Sequence, residues 1–357
     1  MISRLVHVAS GREWRGGQRQ VWLLARELAR AGVREQVVIT TAGSELARRV
    51  ADAGIRVREV RWISGVDPRA FPAVLAEVRH RPVILHAHDA HALTVAGICA
   101  VLTHQPLVVT RRVVFRLRRT GLWRRADRVV AISRAVADTL AADGIDPGRV
   151  SIVPSGVALE DLAGVTPLGV RRFLGLPDTA TVAVNVATLS GEKDHVTLLR
   201  AAHRLAGRLP DLHWIIAGSG PLRRELERVR SELGLVDRVH FLGHLKEPAA
   251  LIADADLFVM SSREEGLGTS VLDAMALGIP VASTSAGGLP EMVGEGAGLL
   301  VPAGDAEALA AAVECLVKDS ACRAACVARA RQVVHRFTAA RMADGMASVY
   351  RSCAPFP

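Results

Sequence analysis

The chain has 357 residues, half of them apolar, more than one core comfortably buries, so two domains are the expectation. A single Tyr and few other aromatics leave no stacking platform for single-stranded nucleic acid, which argues against that partner. The net charge of +9 is held unevenly: residues 1–165 carry 25 Arg and no Lys against 15 acids, whereas residues 166–357 carry 20 basic residues against 21 acids, so the first half alone invites an anionic partner.

In chain order, short β-branched runs alternate with helical stretches. The first half offers RLVHVA (4–9), EQVVIT (35–40), IRVREV (55–60), VILHA (83–87), LVVT (107–110), RVVAI (128–132) and VSIVP (150–154). Between them, segments such as GQRQVWLLARELARAG (17–32) repeat their apolar positions at helical spacing. Strand–helix alternation predicts a parallel, doubly wound sheet. Residues 155–178 hold four Gly and two Pro and read as an interdomain linker. Alternation then resumes with TVAVNVATL (181–189), DLHWIIAG (211–218), RVHFLG (238–243), DLFVMS (256–261), PVAST (280–284) and AGLLVP (297–302), and Ala-rich helices follow residue 304. Two such halves would carry their ligands at the carboxyl ends of the strands.

Five cysteines without paired short spacings do not make a disulfide framework, and Cys322 and Cys326 stand at i, i+4 on a helical segment as packing residues. The N-terminus runs straight into an apolar strand with no signal-peptide layout. The longest apolar stretch, residues 93–109, is broken by His104, Gln105 and Pro106 and falls short of a membrane span. These features fit a cytoplasmic protein, peripheral on a membrane if its basic half meets one.

The segment with most chemistry is SSREEGLGTSVLDAMALGIPVASTSAGGLPE (261–291). A strand delivers an acidic, glycine-containing loop, and a helix starts near Thr269 or Ser270. Its first-turn amides are free donors at the positive end of the helix dipole, suited to hydroxyl or phosphate groups. Gly266 and Gly268 allow close backbone approach. Glu265 and Asp273, eight residues apart, can line one pocket; Asp273 also reads as a capping-box acid answering Ser270. Upstream, ATLSGEKDHVTLLRAA (187–202) places Lys193 on a loop before a helix. Lys is rare here, three against 42 Arg. In LHAHDAHAL (85–93), His86 and His88 share one face of an extended segment. With Asp89 and His91 they invite a metal reading, but the order H-x-H-D-x-H lacks a second ligand set, and no metal is expected. REWRGGQRQVWLL (12–24) joins the first strand to the first helix without a G-x-G-x-x-G dinucleotide motif.

These segments together resemble the retaining glycosyltransferases of family 4, with the two-domain GT-B fold. Residues 261–291 resemble the family's E-x7-E region, with Glu265 in the first position and Asp273 where the family has its second Glu. The resemblance implies that Glu265, with the backbone of Gly266, Leu267 and Gly268, holds donor-sugar hydroxyls, and that Asp273 and the adjoining Leu272 lie on the nucleotide side. AGSGPLRRELE (217–227) resembles the G-x-G-P-L segment through Gly218 and Gly220. VHFLGHL (239–245) resembles the base-side loop through His244 and Leu245. The family typically sets an Arg and a Lys on the donor diphosphate; Lys193 matches, and Thr188 stands in the Arg position. His88 matches the histidine that contacts the transferred sugar. Gly16 and Gly17 match the glycine pair that lets backbone approach donor phosphate and acceptor. Where many members have a His-Asp or similar pair, Arg111 and Arg112 imply an anionic acceptor group.

The expectation is an α/β GT-B protein: an acceptor-side domain over residues 1–160, a donor domain over 161–338, and a C-terminal helix, 339–357, crossing back to the first. Its activity would be metal-independent, retaining transfer of a hexosyl group from a UDP- or GDP-sugar to a glycan or lipid-linked acceptor in cell-surface polysaccharide or lipopolysaccharide assembly. No cofactor is needed, the nucleotide sugar being a substrate; His88, Lys193 and Glu265 would carry the reaction. Two rivals remain: a sugar-nucleotide 2-epimerase on the same fold, and a non-catalytic sugar-nucleotide-binding protein. The run RRVVFRLRRTGLWRRADR (111–128), cations interleaved with apolar residues, is expected to meet an anionic membrane surface.

Overall fold

A computed structural model describes residues 4–63, 65–79, 82–117 and 120–353. The chain divides into two compact units, one made of Met1–Gly156 with Thr338–Pro357, the other of Val157–Phe337. Each of the thirteen strand-like runs forms a strand.

The first unit alternates β1 (Leu5–Ala9), α1 (Gly16–Arg30), β2 (Gln36–Thr41), α2 (Glu45–Asp52), β3 (Arg56–Val60), α3 (Ala70–Val78), β4 (Ile84–Ala87), α4 (Ala90–Thr103), β5 (Leu107–Arg111), α5 (Gly121–Arg125), β6 (Arg128–Ala131), α6 (Arg134–Ala142) and β7 (Val150–Ile152). The strands pair in parallel in the order β3-β2-β1-β4-β5-β6-β7. β1 and β2 are buried at every position, as strands of a parallel sheet covered on both faces are. Only polar residues that find partners belong in such strands, so His7 and Gln36 mark a built feature. The edge strand β3 instead exposes Arg56 and half-exposes Arg58.

Part of the arginine excess is structural. Arg4, Arg56 and Arg58 converge on the buried carboxylate of Glu77 at 2.6, 2.9 and 3.1 Å. Arg26 and Arg49 lie 4.6 Å over the rings of Trp22 and Trp14 respectively.

The second unit begins with α7 (Leu159–Leu162) and α8 (Val170–Leu174). It continues through β8 (Thr181–Val186), α9 (His195–Leu205), β9 (Leu212–Ala217), α10 (Arg223–Glu232), β10 (Val239–Gly243), α11 (Ala249–Ile252), β11 (Leu257–Met260), α12 (Thr269–Ala276), β12 (Val281–Thr284), α13 (Leu289–Val293), β13 (Leu299–Val301), α14 (Ala306–Lys318) and α15 (Ser320–Val334). Its parallel sheet runs β10-β9-β8-β11-β12-β13 over a core that includes Leu198, Leu199, Trp214, Val313 and Leu316. The stretch expected as a linker is tied into this unit. Val170 N donates to Asp254 Oδ2 at 2.9 Å and Leu168 N to Ala250 O at 3.0 Å, and Gly169 and Gly175 bracket α8.

The last helix, α16 (Ala339–Ser352), packs on α1 in the first unit. Thr338 caps it by accepting from Arg341 N at 3.2 Å, and Tyr350, the chain's single tyrosine, is fully buried.

Candidate active site

In each sheet one pair of neighbouring strands, β1 with β4 and β8 with β11, marks the point where successive connections leave in opposite directions. In doubly wound sheets ligands bind at such a switch point, beyond the carboxyl ends of the strands. In the first unit the loops leaving that point are bound together by Asp89. Its carboxylate accepts Ser10 N at 2.8 Å, Ser10 Oγ at 2.6 Å and, as the cap of α4, Ala92 N at 2.9 Å.

Just inside that edge, His7 on β1 is in register with His86 on β4, and His88 follows β4 on the same face. His7 Nδ1 lies 3.0 Å from His88 Nε2, and His7 Nε2 lies 3.3 Å from Gln36 Oε1. His86 is gripped at both nitrogens, by Tyr350 Oη and Thr110 Oγ1, each at 2.7 Å. All three imidazoles are buried. Loss of water pushes His7 down to about 4 and His86 and His88 well below the usual histidine value, with Arg112 nearby adding to the effect on the last two. Burial likewise raises the Tyr350 hydroxyl.

The metal reading changes its membership: His91 is exposed on α4, and His7 takes its place, with donor nitrogens of the three histidines within 4.8 Å of one another. Five of their six ring nitrogens already have hydrogen-bond partners, and only His88 Nδ1 has none among the described residues. Holding a cation would require breaking that network. His7, Gln36, Thr110 and Tyr350 were not singled out from the sequence; the signal available was polar character inside otherwise apolar strands and a lone tyrosine in the last helix.

Around these histidines, Gly16 and Gly17 open α1, and a Cβ on Gly17 would find only Arg112 Cδ, at 3.9 Å. Arg111 ends β5, donates from Nε to Val113 O at 3.1 Å and also bonds Phe115 O, and lies over Trp123 at 5.4 Å. Arg112 is closely surrounded by protein, which lowers its guanidinium to about 10, and its Nε has no hydrogen-bond partner among the described residues. In the basic run, Arg118 and Arg119 lie outside the described residues. Trp123 is only 5% exposed, so it is a packing residue and not a membrane anchor, whereas Phe115, Arg116, Arg124 and Arg125 are exposed.

In the second unit the loops after β8 and β11 interlock. Glu192 O accepts Arg263 N at 2.8 Å, Lys193 O accepts Ser261 Oγ at 2.9 Å, and Asp194 Oδ2 accepts Arg263 Nε at 2.6 Å while its carboxylate caps α9. The result brings Lys193 Nζ to 2.6 Å from Glu265 Oε2, with Ser262 Oγ donating to the same oxygen at 3.2 Å. The pair is 16% and 11% exposed. Thr188, half-buried, sits on the same loop as Lys193.

Gly218 and Gly220 let the loop after β9 touch the one after β8: a Cβ would fall 1.8 Å from Ala187 O and 2.3 Å from Leu189 O. Gly268 caps α12 at φ +97°, leaving the helix's first amides without a capping side chain. Ser270 is therefore inside the helix and donates to Val186 O at 2.9 Å, which sets aside the capping-box reading of Asp273. Asp273, 2% exposed, lies one turn into α12. Leu267 and Leu272, expected among the substrate contacts, are core residues at 1% and 0% exposure, because their face of the segment packs inward. Gly266 is buried beside Glu265, while His244 and Leu245 follow β10 at the far edge of the sheet.

Residues 14–161 match the model of Glycosyltransferase Family 4, and residues 170–333 that of Glycosyl transferases group 1. The chain is 31% identical over 351 residues to the 2-deoxystreptamine N-acetyl-D-glucosaminyltransferase of Streptomyces fradiae, covering 85% of this chain and 83% of that protein. It is 31% identical over 333 residues to the D-inositol 3-phosphate glycosyltransferase of Mycolicibacterium gilvum, covering 80% and 73%. Among solved structures it shares the fold of Anabaena HepE, crystallised with UDP and glucose, with a TM-score of 0.86 over 98% of this chain and 99% of that one at 22% identity. Two parallel α/β sheets with the GT-B fold, matched in both halves, make this chain a member of the group 1, family 4 glycosyltransferases, enzymes that use nucleotide sugars.

Proposed function

We propose that the protein transfers a hexosyl group, with retention and without a metal, from a UDP- or GDP-sugar to a cell-surface glycan or glycolipid precursor. The observation that carries this reading is the Lys193–Glu265 pair beside the uncapped start of α12. Lys193 and the helix amides neutralise the leaving diphosphate, Glu265 accepts hydrogen bonds from sugar hydroxyls, and Asp273 accepts from the ribose. The bond from the anomeric carbon to the diphosphate oxygen breaks as the bond to the acceptor oxygen forms on the same face. The acceptor's proton passes to the departing phosphate oxygen, so catalysis is largely positioning and charge stabilisation. His88, at the edge of the first sheet, faces the transferred sugar, and Arg112 offers an anionic acceptor its guanidinium.

Incubation with a panel of UDP- and GDP-sugars, with the anomeric configuration of the product read by NMR, tests this. Transfer or slow donor hydrolysis with retention supports it. Inversion, epimer formation, or binding without turnover each overturns it.

A membrane-facing role for the first unit rests on a second observation. Ile98, Val101 and Leu102 form an exposed stripe on α4, and α5, packed against α4, exposes Arg124 and Arg125. Each arginine near an anionic surface contributes about 1 kcal/mol, so binding is reversible and salt-sensitive. Cosedimentation with vesicles of graded anionic-lipid content should rise with that content and fall with salt; protein left in the supernatant at every composition removes the membrane from this reading.

A further inference from the structure

The hydrogen bonds around His7 leave only one consistent placement of protons. The amide nitrogen of Gln36 donates to Ala25 O at 3.1 Å and Val33 O at 2.8 Å. Its orientation is thereby fixed, and the oxygen that remains, Oε1, faces His7 Nε2. An amide oxygen only accepts, so His7 carries its proton on Nε2. A neutral imidazole then presents a lone pair at Nδ1, and the group 3.0 Å away, His88 Nε2, must donate to it. His88 is left with an unprotonated Nδ1, the one ring nitrogen of the cluster without a partner among the described residues.

We propose that Gln36 and His7 are positioning residues that hold His88 in its Nε2–H tautomer, so that its Nδ1 is a permanent hydrogen-bond acceptor for a donor-bearing group of the substrate. The substrate part of this statement rests on His88 facing the transferred sugar. Burial keeps His7 and His88 uncharged near neutral pH, so the acceptor is not lost to protonation. The consequence is a rule of selection. The group that meets His88 is a hydroxyl or another donor; a carboxylate or a fluorine at that position would set two acceptors against each other.

The direct test is long-range 15N–1H correlation of 15N-histidine-labelled protein without ligand, with the His88 signals identified by their loss in His88→Gln. The expected result is a protonated Nε2 and a bare Nδ1. A proton on Nδ1, or a charged ring, at pH 7 overturns the proposal whether or not any variant folds, and independently of any transfer activity. Two variants then separate positioning from packing. His7→Phe removes the acceptor, and should release the tautomer and lower kcat on the order of 10- to 100-fold with little change in donor KM. His7→Asn returns an oxygen near the place of Nδ1, and should restore the tautomer and most of the rate. Equal loss in both variants with the tautomer unchanged would mean a purely structural role, and an unchanged kcat in a His7→Phe protein whose tautomer has shifted would sink the positioning claim. If no sugar nucleotide is turned over by the wild type, the reading of His88 as sugar-facing fails while the tautomer result stands.

Discussion

At the carboxyl edge of the first sheet three imidazoles lie buried and uncharged, His7 bonded to His88 and to the Gln36 amide, and His86 packed beside them between two hydroxyls. At the equivalent edge of the second sheet a lysine and a glutamate face each other as ions, 2.6 Å apart and partly open to solvent. Both sit where a doubly wound sheet opens its crevice, yet they prepare for a ligand differently. His7 and His88 are held in one hydrogen-bonding pattern by the fixed amide of Gln36. Lys193 and Glu265 are satisfied by one another; in the proposed reaction each exchanges its partner for a substrate group, Lys193 for phosphate and Glu265 for hydroxyls. On that proposal one edge discriminates by the direction of hydrogen bonds, the other by charge.

The comparison breaks most readily at Glu265. Glu265→Gln keeps the shape and removes the charge, and kcat/KM should fall on the order of 100-fold, roughly 3 kcal/mol in the transition state. Affinity for UDP or GDP should be kept or rise, since Lys193 loses its internal counter-ion. Unchanged turnover in a folded variant would remove Glu265 from the mechanism.

A smaller effect is expected one turn along α12. Asp273→Asn should weaken nucleotide binding about tenfold, through one charge-assisted hydrogen bond, while leaving kcat nearly intact. Calorimetry with the free nucleoside diphosphate measures it, and a normal affinity would return Asp273 to a packing role.

Acid separates the two edges by stability. His7, His86 and His88 on the first, and His195 on the second, bind protons less well folded than unfolded. Between pH 6.5 and 5 the unfolded chain takes up protons that the folded chain refuses, so stability is full above about pH 7 and declines below it. His7→Phe removes one such group and should flatten the slope of Tm against pH in that window. An unaltered slope would show that the cluster admits protons when folded. The smallest effect is expected from chelation. EDTA should leave transfer unchanged, and a loss restored by a divalent ion would turn the three histidines into a ligand set.

The second edge was largely legible in the sequence because its acids and glycines fall in one segment, 261–291, with Lys193 on a neighbouring loop. The strands were legible because parallel strands buried on both faces read as short β-branched runs. The first edge was legible only where it is local: His86 and His88 are two residues apart, but the partners that decide their chemistry are 81 residues away at His7 and 264 away at Tyr350. Spacing carries no information over such distances; only the fold brings these residues together. Side-chain direction was equally out of reach: Leu272 stands beside Asp273, yet only the helix phase of α12 sends it into the core. The glycine-rich stretch 155–178 contains the boundary between the two units, but the short helices α7 and α8 within it were not legible, since glycine marks backbone geometry and is silent on which neighbours a segment finds.

The placement of Tyr350 sets an order of events during synthesis. The first sheet is complete once residue 152 has left the ribosome, but α16, which covers α1 and supplies the hydroxyl that holds His86, is made only after the whole second unit. At about 5–20 residues per second, the intervening unit takes roughly 9 to 36 s to make. For that interval the nascent first unit carries an uncovered face of α1 and a His86 lacking one of its two hydroxyl partners, and α16 completes the unit only when it docks.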